Sequence, residues 1–390
     1  MPLKGIKILD LTRIISGPFA TMMLADFGAE VIKVESHDGD PSRVTGITGE
    51  GENPYFVNLN RNKRSITVDL KDPEGKRIIR RLVETADVLV ENFKPGVMER
   101  LGLGYASLRK INPALVYAAV SGFGKSGPYR ERPAFDFIAQ AMSGFMSLNG
   151  REGEDPMRAA IPICDTLAGV YTAFGILAAI INRAKTGKGD EVQVAMVDSM
   201  ISMFTFASGA LFATGKCPPR NGNDHMVLAP YGVFYAADGP LAIAPSTNKA
   251  WLNFMEALNL AHLIEDPRFD TNAKRLENRA EINRLVGEKI VLCTRDAWID
   301  RLNRAGVPCG NINTLAEAFD DPQVVHQKMV MESEQPGGKV KVTGFPVKIA
   351  GAPATLFRPS PQQGEHTAEI LSEIGYDKEE IKELKSKGVV

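Results

Sequence analysis

A long apolar run headed by one carboxylate restricts how this chain can fold. From Leu167 to Ile181 no residue is charged, and Asp165 stands just before the run. A helix that is apolar on every side has to be buried in a large core, because a surface helix shows a polar face. Pro162 and the small residues after it mark a helix start, so we expect the Asp165 carboxylate at or just inside the helix N-terminus.

Two roles are open for Asp165. It can be an N-cap that satisfies free backbone N–H groups, which is the commoner use of aspartate at this position. It can also be a nucleophile, because a carboxylate ionised by the helix dipole needs no general base. In either role we expect the helix terminus to lower the pKa of Asp165.

Length and charge limit the other possibilities. A chain of 390 residues predicts two domains. Lys and Arg number 46 against 47 Asp and Glu, for a net charge of −1. This balance argues against a nucleic acid or an anionic membrane as partner. Any bound anion has to be recognised by local basic residues.

The cysteines predict a cytoplasmic protein. They form no CxxC pair and have no histidine at metal-ligand spacing, so we interpret them as reduced thiols. Cys164 lies beside Asp165 and is interpreted as a small buried residue. The apolar run is shorter than the ~20 residues of a bilayer span, so we expect a soluble chain without membrane contact. The four cysteines are Cys164, Cys217, Cys293 and Cys309.

Strand and helix patterns alternate in the N-terminal half. A strand at Ile6–Leu11, a helix at Pro18–Phe27 and a strand at Ala29–Glu35 form a βαβ unit, and a helix at Gly75–Thr85 with a strand at Val88–Glu91 repeats the alternation. The α/β class with a parallel sheet follows. No GxGxxG or Walker-type loop is present, so dinucleotide and ATP chemistry get no support.

Basic residues near the ends of these elements are candidates for contacts with a phosphorylated ligand. For any one of them a solvated surface is the alternative. They are Arg61, Lys63, Arg64, Lys71, Lys94 and Arg100.

The second half predicts a smaller α+β region. Gly215–Asp224, rich in Pro, Gly and Asn, is typical of a linker. Two short strands around Asp238 and Gly239 predict an antiparallel hairpin, and helical patterns follow.

The chain lacks the residues of several common mechanisms. None of its five histidines lies in a triad, an HExxH motif or a kinase motif. What remains is Asp165 beside glycine-rich loops and scattered cations.

A set of segments in unbroken order resembles the class III coenzyme A transferases, the family of formyl-CoA transferase and the carnitine CoA-transferases, with α-methylacyl-CoA racemase as a related branch. The likeness runs from residue 3 to about residue 200 and more loosely to the end. The segments are Leu3–Leu11, Gly17–Pro18, Ala25–Glu35, Asn60–Ser65, Val90–Phe93, Gly122–Tyr129 and Asp165.

The resemblance implies a fold and an assembly. It implies a Rossmann-like large domain at 1–215, a small domain at 225–330 and a C-terminal segment at 331–390 that returns to the large domain. Two such chains would interlock as a homodimer. Asp165 matches the catalytic aspartate, which would carry coenzyme A as an aspartyl-CoA thioester between two carboxylic acids. The acyl-CoA is then a substrate, and no metal or permanent cofactor is needed.

The resemblance also implies site residues. Asp136 stands at the position of a family glutamate and is assigned to the catalytic set with Asp165. Ile15 replaces a glutamine of formyl-CoA transferase, which argues against formyl or oxalate specificity. The implied CoA contacts are Ile14, Ile15, Ser16, Val68, Lys71, Asn92, Phe93, Arg100 and Leu101.

Two alternatives stay open. An acyl-CoA racemase needs two opposed acid/base groups, and Phe135 stands where that branch has a histidine, so racemisation is disfavoured. A non-catalytic CoA-binding protein would use Asp165 only as a cap. For a transferase, a small dicarboxylate such as succinate is the expected acid.

Overall fold

The computed structural model describes residues 1–46 and 53–390, and this part of the chain forms two compact units. Unit 1 comprises Met1–Phe145, Arg158–Thr205 and Pro322–Val390, and unit 2 comprises Met146–Met157 and Phe206–Asp321. The predicted linker at Gly215–Asp224 is wrong, because this segment is held inside unit 2. Asn221 forms a β-bridge with Arg151, which joins it to a segment from before the long helix.

Unit 1 is built on a six-stranded sheet in which all neighbouring strands are parallel. This confirms the predicted α/β class. The strands are β1 Lys7–Asp10, β2 Glu30–Glu35, β3 Lys63–Thr67, β4 Val88–Glu91, β5 Val116–Ser121 and β6 Glu191–Ala195, in the order β3-β2-β1-β4-β5-β6. The order reverses between β1 and β4, and ligands of such sheets bind beyond the carboxyl ends of the strands at that reversal.

Neighbouring residues of β1 supply two different cores. Leu9 pairs in register with Ile32 of β2 and Leu89 of β4, and all three lie in one buried cluster. Ile8 belongs to the cluster on the opposite face. Since side chains alternate across a strand, the apolar run of β1 covers both faces of the sheet, as a parallel sheet with helices on each side requires.

The helices complete both units. The C-terminal helices return to unit 1, where Ile370 and Leu371 share a core with Leu82. The helices in chain order are α1 Ser16–Asp26, α2 Pro54–Asn60, α3 Pro73–Thr85, α4 Val97–Arg100, α5 Tyr105–Leu108, α6 Asp136–Met142, α7 Phe145–Leu148, α8 Ile163–Thr186, α9 Met196–Ile201, α10 Thr205–Thr214, α11 Asn248–Ala257, α12 Asn272–Glu277, α13 Arg279–Ile290, α14 Arg295–Arg304, α15 Leu315–Asp320, α16 Pro322–His326, α17 Thr367–Glu373 and α18 Lys378–Ser386.

Unit 2 contains the predicted hairpin. The strands β7 Gly232–Ala236 and β8 Gly239–Ile243 pair antiparallel, and β9 Cys309–Asn311 adds to β8. Helices pack on this sheet around Trp251 and Phe254, which confirms the α+β prediction. A separate hairpin of β10 Val330–Gln335 and β11 Gly338–Thr343 belongs to unit 1.

Helix α8 is less buried than its composition predicts. It packs against α1, β5, β6 and α9. However, only 33% of its most apolar 18-residue window is buried, so the expectation of a helix enclosed on every side is wrong. The helix has 24 residues, and the mean hydropathy of that window is 1.7, so α8 is long and apolar enough to cross a membrane, unlike the shorter run Leu167–Ile181 taken alone. A core helix with one open face can have the same length and the same apolar composition.

Candidate active site

A cavity of about 370 Å³ lies at the reversal of strand order in unit 1. The loops that follow β1, β4 and β5 supply most of its wall, and Asp165 lies among the residues that line it. Three loops from the carboxyl ends of neighbouring parallel strands converge there because those ends meet at one edge of the sheet. The lining segments are Arg13–Ser16, Asn92–Pro95, Val120–Gly122 and Arg132–Phe135.

A close contact between α1 and α8 brings Ser16 to Asp165. A Cβ atom on Gly169 would lie 2.7 Å from the Ser16 carbonyl oxygen and 3.0 Å from the Phe19 ring. Only glycine therefore allows the first turn of α1 to approach α8 so closely. The Ser16 hydroxyl lies near enough to the Asp165 carboxylate, one turn before Gly169, to lower the pKa of Asp165.

Asp136, and not Asp165, caps α8. The Asp136 carboxylate oxygen Oδ1 accepts hydrogen bonds from the backbone N–H of Cys164 at 2.8 Å and of Asp165 at 3.3 Å. These N–H groups belong to the first turn of α8, where no partner within the helix is available. A carboxylate from α6 thus has the capping role that the sequence analysis considered for Asp165. The Asp165 side chain is left to face the cavity.

The pKa of Asp165 moves opposite to the sequence expectation. Burial is the main cause and raises the pKa of Asp165 to about 7. The charge of Asp136 raises it further, and the hydrogen bond from Ser16 opposes both. The lowered pKa expected from the helix terminus is wrong, because removal from water disfavours the ionised form more than nearby donors favour it. Asp165 is therefore a carboxylate that titrates near neutral pH.

Two neighbours of Asp165 hold their protons. Burial, together with the charges of Asp136 and Asp165, raises the pKa of the Cys164 thiol to about 12. Burial and the charge of Asp165 raise the pKa of Tyr55 to about 12. Thiols attack as thiolates, so Cys164 is a small buried residue, as predicted, and not a competing nucleophile.

The loop after β1 is fastened to the loop after β4. The Asn92 side chain accepts a hydrogen bond from the Arg13 backbone N–H at 2.9 Å and donates one to the Arg13 carbonyl at 2.8 Å. The backbone N–H of Phe93 donates to Glu91 at 2.8 Å. The Arg13 guanidinium lies 5.1 Å from the centre of the Phe93 ring. These bonds fix both loops at the cavity before any ligand binds.

The structure brings together one group of the predicted site residues. Ile14, Ile15, Ser16, Asn92 and Phe93 line the cavity with Asp165, and Asp136 acts on Asp165 through the α8 backbone. The other four predicted contacts lie outside this cavity, and their role in binding the nucleotide end of coenzyme A stays a prediction. Val68 is buried in the core, Leu101 packs against it, and Lys71 and Arg100 are exposed.

Three of the candidate cations are structural. Arg61 pairs with Asp26 at 2.6 Å, and Lys63 pairs with Asp10 at 2.9 Å, all four being buried. Arg64 is the third and lies among carboxylates that include Glu369 and Glu373. Buried cations need such partners, so none of the three is open to a ligand.

Lys94 lines the cavity, as do Arg13 and Arg132, which the sequence analysis missed. Only the position of Arg13 directly before Ile14 could have marked it. Between residues 1 and 46 and from 53 onward, no group of three or more His, Cys, Asp or Glu side chains could hold a metal ion.

Comparison with known proteins gives consistent matches. The family model described as CoA-transferase family III matches residues 3–367. The chain is 38% identical over 393 residues to the human succinyl-CoA:glutarate CoA-transferase, covering 100% of this chain and 90% of that protein. It is 38% identical over 375 residues to the acetyl-CoA:oxalate CoA-transferase of Acetobacter aceti, covering 95% of each. A solved structure of a CAIB/BAIF family protein from Brucella suis has a TM-score of 0.86 at 39% identity, covering 96% of this chain and 99% of that one.

Proposed function

Because the chain belongs to CoA-transferase family III and transfers coenzyme A to a carboxylic acid, we propose that Asp165 is the nucleophile of this transfer. One observation carries the proposal. The Asp165 carboxylate lies in the cavity at the strand reversal, while Asp136 does the capping that would otherwise occupy it. The sequence left two roles open for Asp165, an N-cap and a nucleophile. This observation favours the nucleophile.

The proposed steps conserve the thioester. A carboxylate oxygen of Asp165 attacks the carbonyl carbon of the acyl-CoA, the C–S bond breaks, and coenzyme A leaves as a thiolate. The thiolate then attacks the Asp165 carbonyl of the mixed anhydride and releases the donor acid, which leaves an aspartyl-CoA thioester. The acceptor carboxylate attacks this thioester, and the same two steps run in reverse order to give the new acyl-CoA and free Asp165. Since a thioester is exchanged for a thioester, no resident cofactor has to supply energy.

The environment of Asp165 suits this chemistry. Burial strips water from the carboxylate, which makes the ionised form a stronger nucleophile and limits hydrolysis of the anhydride. Phe135 lines the same cavity and carries no ionisable proton. A racemase would need a second acid/base group, so this residue favours transfer over racemisation.

Trapping tests the covalent step. With succinyl-CoA and hydroxylamine, peptide mass spectrometry should find a hydroxamate on Asp165, because hydroxylamine attacks the aspartyl thioester or anhydride. Samples without acyl-CoA should remain unmodified. Sustained CoA exchange with no modification, or modification of another residue, would refute the assignment.

We also propose that the transferred acids are dicarboxylates. Of the described residues that line the cavity, Asp165 alone is acidic, whereas Arg13, Lys94 and Arg132 are cations. Within residues 1–46 and 53–390, none of these three cations forms an ion pair. Their charges are therefore available to a ligand. The names of relatives that act on succinyl-CoA and glutarate agree with a second carboxylate.

Replacement of Arg13 by Met should reduce kcat/KM for glutarate by about 10-fold or more and leave that for butyrate within about twofold. Methionine keeps an unbranched apolar side chain at this position and removes the charge that would meet the distal carboxylate. Competing CoA-exchange assays with the two acids measure the ratio. Equal losses for both acids, with weaker binding of free coenzyme A, would show that Arg13 contacts a CoA phosphate instead.

A second copy of the chain is the proposed partner of α8. Val170, Phe174, Leu177 and Ile181 repeat at helical spacing and form an exposed apolar stripe on α8, with Phe174 69% exposed. Contiguous exposed apolar residues mark interfaces. The interlocked homodimer implied by the sequence resemblance would cover this stripe.

We further propose a reducing compartment such as the cytoplasm. The four cysteines are unpaired thiols in the structure, in keeping with such a compartment.

A further inference from the structure

A buried ion pair lies behind the loop that carries Ser16. Lys33 of β2 is fully buried, and its Nζ atom donates to the Asp40 carboxylate at 2.8 Å and to the Thr12 carbonyl at 3.0 Å. Burial alone would lower the pKa of Lys33, but the charges of Asp40 and Asp10 outweigh it and the pKa is raised. The pair is therefore charged at neutral pH, in a place where charges are costly to keep.

Asp40 connects the buried ion pair to the backbone of the loop through a hydrogen bond. Its carboxylate oxygens lie 3.2 and 3.3 Å from the backbone nitrogen of Ile14 and accept its hydrogen bond. Ser42 holds the same carboxylate through its backbone N–H at 2.9 Å and its hydroxyl at 2.7 Å. The Asp40 backbone N–H donates to Glu35 at 3.1 Å. These contacts hold the Asp40 carboxylate in place independently of its hydrogen bond with Ile14.

Ile14 needs such a partner because its backbone is strained. Its φ is 70°, in the left-handed region that β-branched residues rarely adopt. Strained residues persist only where the surroundings hold them, and they concentrate at functional sites. Ile14, Ile15 and Ser16 all line the cavity, so relaxation of Ile14 would turn the residues that face the ligand.

We propose that Lys33 and Asp40 are positioning residues: they hold Ile14 in its strained conformation and thereby direct the Ser16 hydroxyl at Asp165. Neither residue lines the cavity, and both act through the loop backbone. The inference rests on Asp165 as the nucleophile. The alternative is that the pair only stabilises the fold, as buried pairs elsewhere in unit 1 do.

A double replacement tests the role without stranding a buried charge. In Lys33→Met/Asp40→Leu, apolar side chains replace the pair, a change that buried ion pairs often tolerate. The Ile14 N–H then loses its acceptor. The matched control is Arg61→Met/Asp26→Leu, which removes a buried pair outside the cavity.

The readout is the pH dependence of kcat/KM, whose acidic limb follows the ionisation of Asp165. Loss of the Ser16 hydroxyl, which lowers the pKa of Asp165, should in Ser16→Ala move that limb upward by about half a pH unit. Lys33→Met/Asp40→Leu should move it by the same amount, and the triple variant should move it no further. The control pair should lower the melting temperature and leave the limb in place.

The other titratable and charged groups around Asp165 keep their residue types in these variants. They are Asp136, Tyr55, Cys164 and the cavity cations Arg13, Lys94 and Arg132. The charged groups around the replaced pair are Asp10, Glu35, Arg43 and Lys63. A change in their interactions would alter the stability of the fold, which the melting temperature measures.

Two results would overturn the inference. One is an acidic limb that stays in place in Lys33→Met/Asp40→Leu. The other is a shift that adds to that of Ser16→Ala, since replacements that act through the same hydroxyl group are not additive. Full activity in Asp165→Asn would instead refute the nucleophile itself, so the two failures are distinguishable.

Discussion

Replacement of Asp165 by Asn is expected to reduce CoA transfer by about 10⁴-fold or more. The amide keeps the shape of the side chain and its contact with Ser16, but it cannot form the anhydride or the thioester. Initial rates of CoA exchange between succinyl-CoA and glutarate measure the loss. Asp198→Asn is the matched control, because Asp198 lies in the first turn of α9 and does not line the cavity. Full transfer in Asp165→Asn or Asp165→Ala would refute the mechanism.

The same replacement should stabilise the protein at alkaline pH. The pKa of Asp165 is raised from 3.8 to about 7 in the folded state. Between these values the folded state keeps a proton that the unfolded state releases, so stability falls as pH rises and the loss is complete above about pH 7. Asn has no such cost. We expect Asp165→Asn to be more stable than the wild type by about 4 kcal/mol at about pH 8, and equally stable near pH 3.5.

Thermal unfolding followed by circular dichroism at the two pH values tests this linkage. The expected sign is diagnostic, because a carboxylate with a lowered pKa would make the variant less stable at alkaline pH. An Asp165→Asn variant that melts below the wild type at about pH 8 would show that Asp165 is stabilised as an anion. The nucleophile would then be ionised by its surroundings, as the helix terminus alone suggests.

Charges on the open face of α8 should prevent association. In Phe174→Asp/Ile181→Asp, two carboxylates replace side chains that are 69% and 60% exposed in the isolated chain. If a second copy covers them, burial of the charges would weaken the dimer by about 100-fold or more. Multi-angle light scattering over a dilution series measures the change, from a wild-type dimer to a monomeric or poorly folded variant.

Leu292→Asp is the control for this experiment. Leu292 is 70% exposed, lies in unit 2 and is remote in sequence from α8, so its replacement should leave the dimer intact. A dimer that survives Phe174→Asp/Ile181→Asp would place the interface elsewhere. A monomeric wild type that binds lipid vesicles would show that the apolar face of α8 meets a membrane and not a second copy.

Local patterns predicted the elements of unit 1 well. Alternating strands and helices in the N-terminal half predict a parallel sheet, and Pro162 before an apolar run places Asp165 in the first turn of α8. Such features depend on residues close in sequence, through periodicity and helix termini. The nucleophile candidate could therefore be found without the structure.

The structure decided what surrounds these elements. The cation candidates Arg61 and Lys63 proved to be buried partners of Asp26 and Asp10, although their spacing suggested a ligand contact. One face of α8 is open, although its composition is apolar all round. Sequence pattern cannot show which charges pair across a sheet or which apolar faces a chain leaves uncovered, because both depend on packing between distant segments.

The sequence by itself determined that a carboxylate stands at the start of an apolar helix. Only the tertiary structure decided what this carboxylate does. Asp136, 29 residues before Asp165, caps the helix, and burial raises the pKa of Asp165 to about 7. Capping partners and desolvation come from residues that are remote in the chain and meet only when it folds. The same terminus that suggested a permanently ionised cap thus holds a carboxylate that titrates at neutral pH and faces the cavity.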